Sequence, residues 1–234
     1  MKSQPSVLRS LSSGFTLLEL LVVIGLIAGL SFFIAGNLSG SGQLATLQSA
    51  QSALLNLVTV ARTKAMASGQ SARLLVQVDA TSTAQPSRYL RYVAVQTQGS
   101  TGWQTAVETY LPDGIYVVPG NFSTIPTGLF AAGTATPWTK ADGSALRSTA
   151  LRANQITAET INHTGTELWV SITISANAGT MQSGDIILAS GRIRPPGSYL
   201  AGESPVELDN PENVRGLTLS SYGVPALINA RTSF

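Results

Sequence analysis

Residues 14–30 read Gly14-Phe15-Thr16-Leu17-Leu18-Glu19-Leu20-Leu21-Val22-Val23-Ile24-Gly25-Leu26-Ile27-Ala28-Gly29-Leu30. One carboxylate, Glu19, stands in an otherwise apolar run, at the fifth residue after Gly14. A charge at the centre of a bilayer costs about 2.5–3.5 kcal/mol on insertion scales, and such residues are rare and usually paired. Followed to Leu38, the run from Phe15 is 24 residues long. As a helix it would reach ~36 Å, enough for a hydrocarbon layer of ~30 Å. Lys2 and Arg9 precede it, with Ser12-Ser13-Gly14 in between. Positive residues stay cytoplasmic, so the remainder is expected to face outward. A secretory signal peptide would place its apolar run before a small-residue cut. Here the glycine comes first, so the run would be retained. A plain single-pass anchor fits the hydropathy but gives no reason for Glu19.

Beyond this run, Gly36-Asn37-Leu38-Ser39-Gly40-Ser41-Gly42 places three glycines in seven residues. At about 1 kcal/mol each relative to alanine in a helix, they predict a bend, a locally melted stretch or a plain linker. From Gln43 to Ser68 helical periodicity returns. Leu44, Leu47, Leu54, Val58, Ala61 and Ala65 form one stripe, with Gln48, Ser52, Asn56, Thr59 and Thr63 largely opposite. Gly69 is a natural stop. The period then becomes two. Leu74, Val76 and Val78 alternate with Arg73 and Gln77, and Tyr89, Arg91, Val93 and Val95 with Leu90, Tyr92 and Ala94. Residues 105–111 lead through the turn Pro112-Asp113-Gly114 into Ile115–Val118. Further strands are expected at 167–175, 185–190, 214–220 and 224–229, the last two joined as a hairpin by Ser220-Ser221-Tyr222-Gly223, with Pro225 at an edge or strand end. Residues 121–148 lack a period and read as a surface insertion. Residues 149–161 admit either a short helix or a strand.

The chain has 234 residues, 14 of them basic and 12 acidic. Without Lys2 and Arg9 the balance is 12 to 12. That argues little for nucleic acid or an anionic surface. Cysteine is absent, and a domain of this size can bury a sufficient core without disulfides. Charged residues are only 11% of the chain while apolar residues are 44%, which reads as exported β-rich sequence rather than disorder.

The basic leader, Gly14-Phe15-Thr16-Leu17-Leu18-Glu19 and the apolar helix together resemble the cleavage and methylation signal of type IV pilins and type II secretion pseudopilins. The resemblance implies that a prepilin peptidase cuts between Gly14 and Phe15 and methylates Phe15. It implies that Glu19 acts in recruitment and assembly, neutralised by the α-amine at Phe15 of the next subunit. Many members carry a proline in the first helix, whereas none occurs here between Pro5 and Pro86. Residues 61–78, ARTKAMASGQSARLLVQV, and the last hairpin resemble H-type minor pseudopilins. Prepilin-like cassette proteins of Verrucomicrobia-type bacteria are another possible home.

The implied fold is α+β and pilin-like, one long N-terminal helix, transmembrane in its first half, packed on a C-terminal antiparallel β-sheet or β-sandwich. The expected organisation is a leader at 1–14, a transmembrane and filament-core helix at 15–38, a Gly-rich break with an amphipathic helix at 39–69, and a periplasmic β-rich domain at 70–234. The implied function is that of a minor structural subunit of a type II secretion pseudopilus or type IV pilus-like filament. Its partners would be the prepilin peptidase, other pilin or pseudopilin subunits, the inner-membrane assembly platform and, before assembly, membrane lipid. Its location would be the bacterial inner membrane, N-terminus cytoplasmic and C-terminal domain periplasmic, then the filament.

Catalysis needs convergent groups with tuned proton affinities, and the residues offer little of that. The single histidine, His163, stands in the turn sequence Asn162-His163-Thr164-Gly165. The densest acidic cluster, Glu207-Leu208-Asp209-Asn210-Pro211-Glu212, lacks the glycine and oxygen spacing of a calcium loop and reads as a solvated turn. No nucleophile elbow, phosphate loop or dinucleotide fingerprint occurs. No enzyme activity and no cofactor or metal is expected. Two other function classes stay open. One is a DNA-uptake protein contacting phosphates through Arg192 and Arg194, although two charges on a neutral body make nucleic acid a poor partner. The other is a stationary membrane-anchored adhesin or binding domain.

Overall fold

Helix α1 runs from Leu17 to Ser68. It ends where Gly69 takes φ +64°, the left-handed conformation glycine adopts without a Cβ penalty. This computed structural model describes residues 17–81, 85–121, 125–130, 138–140, 142–162, 165–177 and 183–234, leaving aside within α1 the side chains of Glu19 and 28–41. The chain divides into two units, Met1–Gly42 and Gln43–Phe234. The interruption expected at 36–42 is not one in the backbone, because α1 is helical throughout. Glycine weakens a helix but keeps its N–H, whereas proline would remove a rung of the ladder. The boundary between the units nonetheless falls directly after Gly42.

In the second unit the amphipathic pattern is realised from Leu47 onward. Leu47, Ala50, Leu54, Leu57, Val58, Ala61 and Ala65 are buried, while Gln48, Ser52, Asn56, Thr59 and Thr63 are exposed. Leu44 departs from expectation at 47% exposure, and Leu57 enters the core in its stead.

Among the described residues ten strands follow: β1 (Ala72–Gln77), β2 (Tyr92–Gly99), β3 (Gly102–Tyr110), β4 (Ile115–Val117), β5 (Ile156–Glu159), β6 (Glu167–Ile174), β7 (Gly184–Ile193), β8 (Val206–Leu208), β9 (Val214–Leu219) and β10 (Pro225–Ile228). One sheet has the order β3-β2-β1-β6-β5, the other β10-β9-β7-β4, with β8 added to β7. These strands all pair antiparallel. The core brings the buried stripe of α1 together with Leu74, Val76, Val93, Val95, Val170 and Ile172 of one sheet and Ile186, Leu188, Leu217 and Leu219 of the other. Each fully buried aliphatic chain of this size contributes about 1.5–3 kcal/mol. The architecture is thus α+β, a helix packed on antiparallel sheets.

Several expectations need correction. Residues 89–91 are not strand. Pro86–Arg88 form a 3-10 turn, and Leu90 sits at φ +56° with its side chain fully buried. Its N–H donates to Gln77 O at 2.9 Å and its carbonyl accepts from Val117 N at 2.7 Å, so tertiary bonds hold a conformation that leucine avoids. The alternation in β1 does not mark a wet face either. All six residues are buried, Arg73 and Gln77 included.

Residues 121–148 are not merely a surface insertion. Leu129, Phe130 and Leu146 fill a second cluster with Tyr116, Val118, Ile187 and Ala189. Leu208 N donates to Leu129 O at 2.6 Å. The outer face of the second sheet is apolar, and this aperiodic segment covers it. Residues 149–161 resolve into a 3-10 turn, Ala153–Gln155, followed by β5. The three-residue β8 was not anticipated, and it takes Glu207 and Leu208 out of the expected acidic turn. The turn signals hold. Ile115 N donates to Pro112 O at 3.1 Å with Gly114 at φ +77°. The closing hairpin turns at Gly223, φ +69°, and places Pro225 at the start of an edge strand.

Candidate assembly helix and surface sites

Gly14 and Phe15 lie outside the described residues, as does His163. Glu19 is the third residue of α1, with its side chain outside the description. What the first unit does show is its surface. Leu17, Leu18, Leu20, Leu21, Val22, Val23, Ile24, Leu26 and Ile27 are all exposed, between 46% and 84%. At about 100° per residue these positions point in every direction around the axis. A helix that is apolar all round is one that something else covers. Among the described residues no helix is long and apolar enough to cross a membrane. The remainder of the expected span, 28–38, has its side chains outside the description.

In the second unit a polar residue pins the helix. Gln51 is 2% exposed and donates through Nε2 to Gly216 O at 2.8 Å and Ile228 O at 3.0 Å, tying α1 to β9 and to the end of β10. Gly216 itself lets β9 lie close against β7, since a Cβ there would overlap Ile186 O. The sequence holds a signal for it: Gln51 stands four after Leu47 and three before Leu54, a polar residue within the apolar stripe.

The face of the first sheet turned away from α1 carries buried ion pairs. Arg88 Nη2 lies 2.8 Å from Glu167 Oε2, each side chain 2% exposed, and donates to Ile161 O at 2.8 Å. The guanidinium stacks 3.9 Å from the Tyr92 ring centroid. Arg73 pairs with Glu159, donates to Gln96 Oε1 and stacks 4.3 Å from the Trp103 centroid. Desolvation lowers the Arg73 pKa, and the Glu159 carboxylate opposes that shift. Such pairs set geometry more than they add stability. Sequence reasoning missed them because the partners are far apart in the chain.

Arg192 and Arg194 are both engaged within the chain. Arg192 stands opposite Glu207 across the β7–β8 ladder, with Nη2 3.1 Å from its Oε2 and Nε 4.0 Å from Asp209 Oδ1. The hydrogen bond to Glu207 raises the Arg192 pKa. Arg194 Nη1 reaches Glu203 Oε2 and Ser204 O, each at 3.2 Å, and Nη2 donates to Ser198 O at 2.8 Å. Glu212, the other end of the acidic cluster, pairs with Arg231. Burial raises the Asp209 pKa, with Arg192 countering it. Among the described residues no group of three metal-ligating side chains assembles.

No protein-family model matches the chain, and no curated protein matches its sequence. Solved structures do align with it. The type IV minor pilin FimU of Pseudomonas aeruginosa aligns at 10% identity over 77% of this chain and 87% of its own, TM-score 0.36. The minor pseudopilin EpsH of the Vibrio cholerae type 2 secretion system aligns at 9% identity over 78% and 96%, TM-score 0.38. A second EpsH structure gives 16% identity over 79% and 96%, TM-score 0.37. These superpositions are loose.

Proposed function

We propose that this chain is a pilin-like structural subunit of a type II secretion pseudopilus or type IV pilus-like filament, most simply a minor one. In this reading a prepilin peptidase removes 1–14 and methylates Phe15, and the apolar helix waits in the inner membrane with the β-rich body outside. An assembly platform then delivers it to a filament, where it packs against the helices of other subunits. The observation that carries the reading is the stretch Leu17–Ile27, whose described large apolar side chains are all exposed and spread around the helix axis. Lipid first and neighbouring helices afterwards are two covers that such a surface accepts. The Gly14-Phe15 junction and Glu19 supply the sequence support.

Glu19 is the assembly carboxylate in this scheme. Its partner is the α-amine of Phe15 in an adjacent copy. At 4 Å and an effective dielectric of about 20, such a pair is worth about 4 kcal/mol before desolvation is charged against it. Glu19→Ala is therefore expected to insert normally yet fall at least tenfold in filament incorporation, measured by cross-linking and shear fractionation. Undiminished incorporation removes the role. Intact-mass analysis of membrane-extracted protein tests the processing, with a chain that starts at Phe15 and carries one added methyl as the expected species. A native chain starting at Met1 sinks the reading.

A further inference from the structure

We propose that the cleft lined by Arg147 and Arg152 is a docking site for an acidic peptide segment of a protein partner. The cleft has a volume of about 640 Å³, and its wall also includes Asn121, Thr149, Leu151 and Asn154. That volume is in the ~300–1,000 Å³ range of ligand-sized sites. Six of the body's described arginines answer a carboxylate: Arg73, Arg88, Arg91, Arg192, Arg194 and Arg231 each have an acidic partner, while Arg62 and Arg215, away from this cleft, have none. Arg147 and Arg152 have none within ion-pair distance among the described residues, and no carboxylate stands among the described lining residues. Asp185, whose backbone bonds Thr149 and Ala150, pairs with neither. Two cations without an acidic partner thus line one concave surface.

The wall is built rather than draped. Arg147 Nη1 donates to Asn121 Oδ1 at 2.8 Å, which fixes one edge of its fork. The Arg152 backbone N–H donates to Gln155 Oε1 at 2.9 Å, and Asn121 and Arg152 bridge in parallel. Gly120 lets these segments touch, since a Cβ there would overlap Leu151 O. Thr149 Oγ1 accepts from Asp185 N at 2.8 Å, and Ser148 Oγ accepts from Ile187 N at 2.9 Å, which anchors the segment to β7. An arginine guanidinium held this way presents parallel donors to a carboxylate.

Charge and shape select the occupant. Two cations are too few for nucleic acid, whose specific binders neutralise about 6–10 phosphates. A lone phosphate would leave most of the volume and the apolar Ala145 and Ala153 side of the cleft empty. A glutamate or aspartate side chain with small apolar neighbours satisfies both. The inference does not depend on filament assembly.

The test uses the full chain in a nonionic detergent and a fluorophore-labelled, end-blocked peptide of alternating Glu and Ala, read by anisotropy. Saturable binding is expected, weakened about tenfold or more when every Glu is replaced by Gln or when the protein carries Arg147→Gln with Arg152→Gln. Lys64→Gln, with the same loss of charge on α1, is expected to bind as the parent does. Should the double variant lose its far-UV circular dichroism, the exposed Arg152→Gln alone serves, with a several-fold loss expected. Equal binding of the Glu and Gln peptides overturns the proposal, as do undiminished binding by the variants and no saturation at millimolar peptide. Tighter binding of a single-stranded oligonucleotide, or full displacement by equimolar inorganic phosphate, also overturns it by assigning the cleft to phosphate.

Discussion

Helix α1 contains two surfaces that share a backbone geometry and little else. Between Leu17 and Ile27 the described large apolar side chains are all exposed. Between Leu47 and Ala65 apolar residues recur on one stripe, and that stripe is buried under two sheets. The second stretch finds its cover within its own chain, while the described large apolar side chains of the first are exposed. A single helix can thus carry a stripe that its own chain covers along one part of its length and an open apolar surface along another.

Alkaline pH is expected to separate the two most completely. Burial raises the pKa of Tyr89, Tyr92 and Tyr116, all in the second unit. Because the folded values lie above the unfolded one, this contribution is whole below pH ~10 and is lost as pH rises beyond it. The β-rich body should unfold above pH ~10, seen as loss of near-UV dichroism together with a rise in tyrosinate absorbance. The apolar stretch contains no tyrosine and should keep its helical signal in detergent. Retention of the near-UV spectrum well above that pH would contradict this.

Leu54→Ala is next. It empties a fully buried site and is expected to destabilise the body by about 2–5 kcal/mol in urea unfolding. Gln51→Ala follows at about 1–3 kcal/mol, because it strands the Gly216 and Ile228 carbonyls without their donor. Leu21→Ala closes the series. The residue is 68% exposed, so the body's unfolding midpoint should move by less than about 0.5 kcal/mol. A Leu21→Ala effect as large as that of Leu54→Ala would erase the distinction between the stretches.

Local periodicity was legible wherever one face met one environment. The α1 stripe, the stop at Gly69, the turn at 112–114 and the closing hairpin were all readable, because each depends on neighbours within a few residues. The reading failed where burial came from a distance. Arg73 and Gln77 looked like the wet side of β1, yet an ion pair, an aromatic ring and distant strands cover them. Residues 121–148 looked like a surface insertion, because nothing local reveals that Leu129 and Phe130 cover a sheet face that includes Ile187 and Ala189 of the distant β7. The cleft of Arg147 and Arg152 was invisible for the same reason. An arginine with an acidic partner and one without are the same letter.

What the sequence determined by itself was the order of elements and the anomaly at Glu19, since hydropathy and charge are properties of residues taken in order. The tertiary structure alone decided which polar groups found partners. Arg192 and Arg194, conspicuous in sequence, are answered by Glu207 and Glu203, while Arg147 and Arg152 are left facing an open cleft. A charge is fixed by composition, but its neutralisation depends on distances that only the folded chain sets.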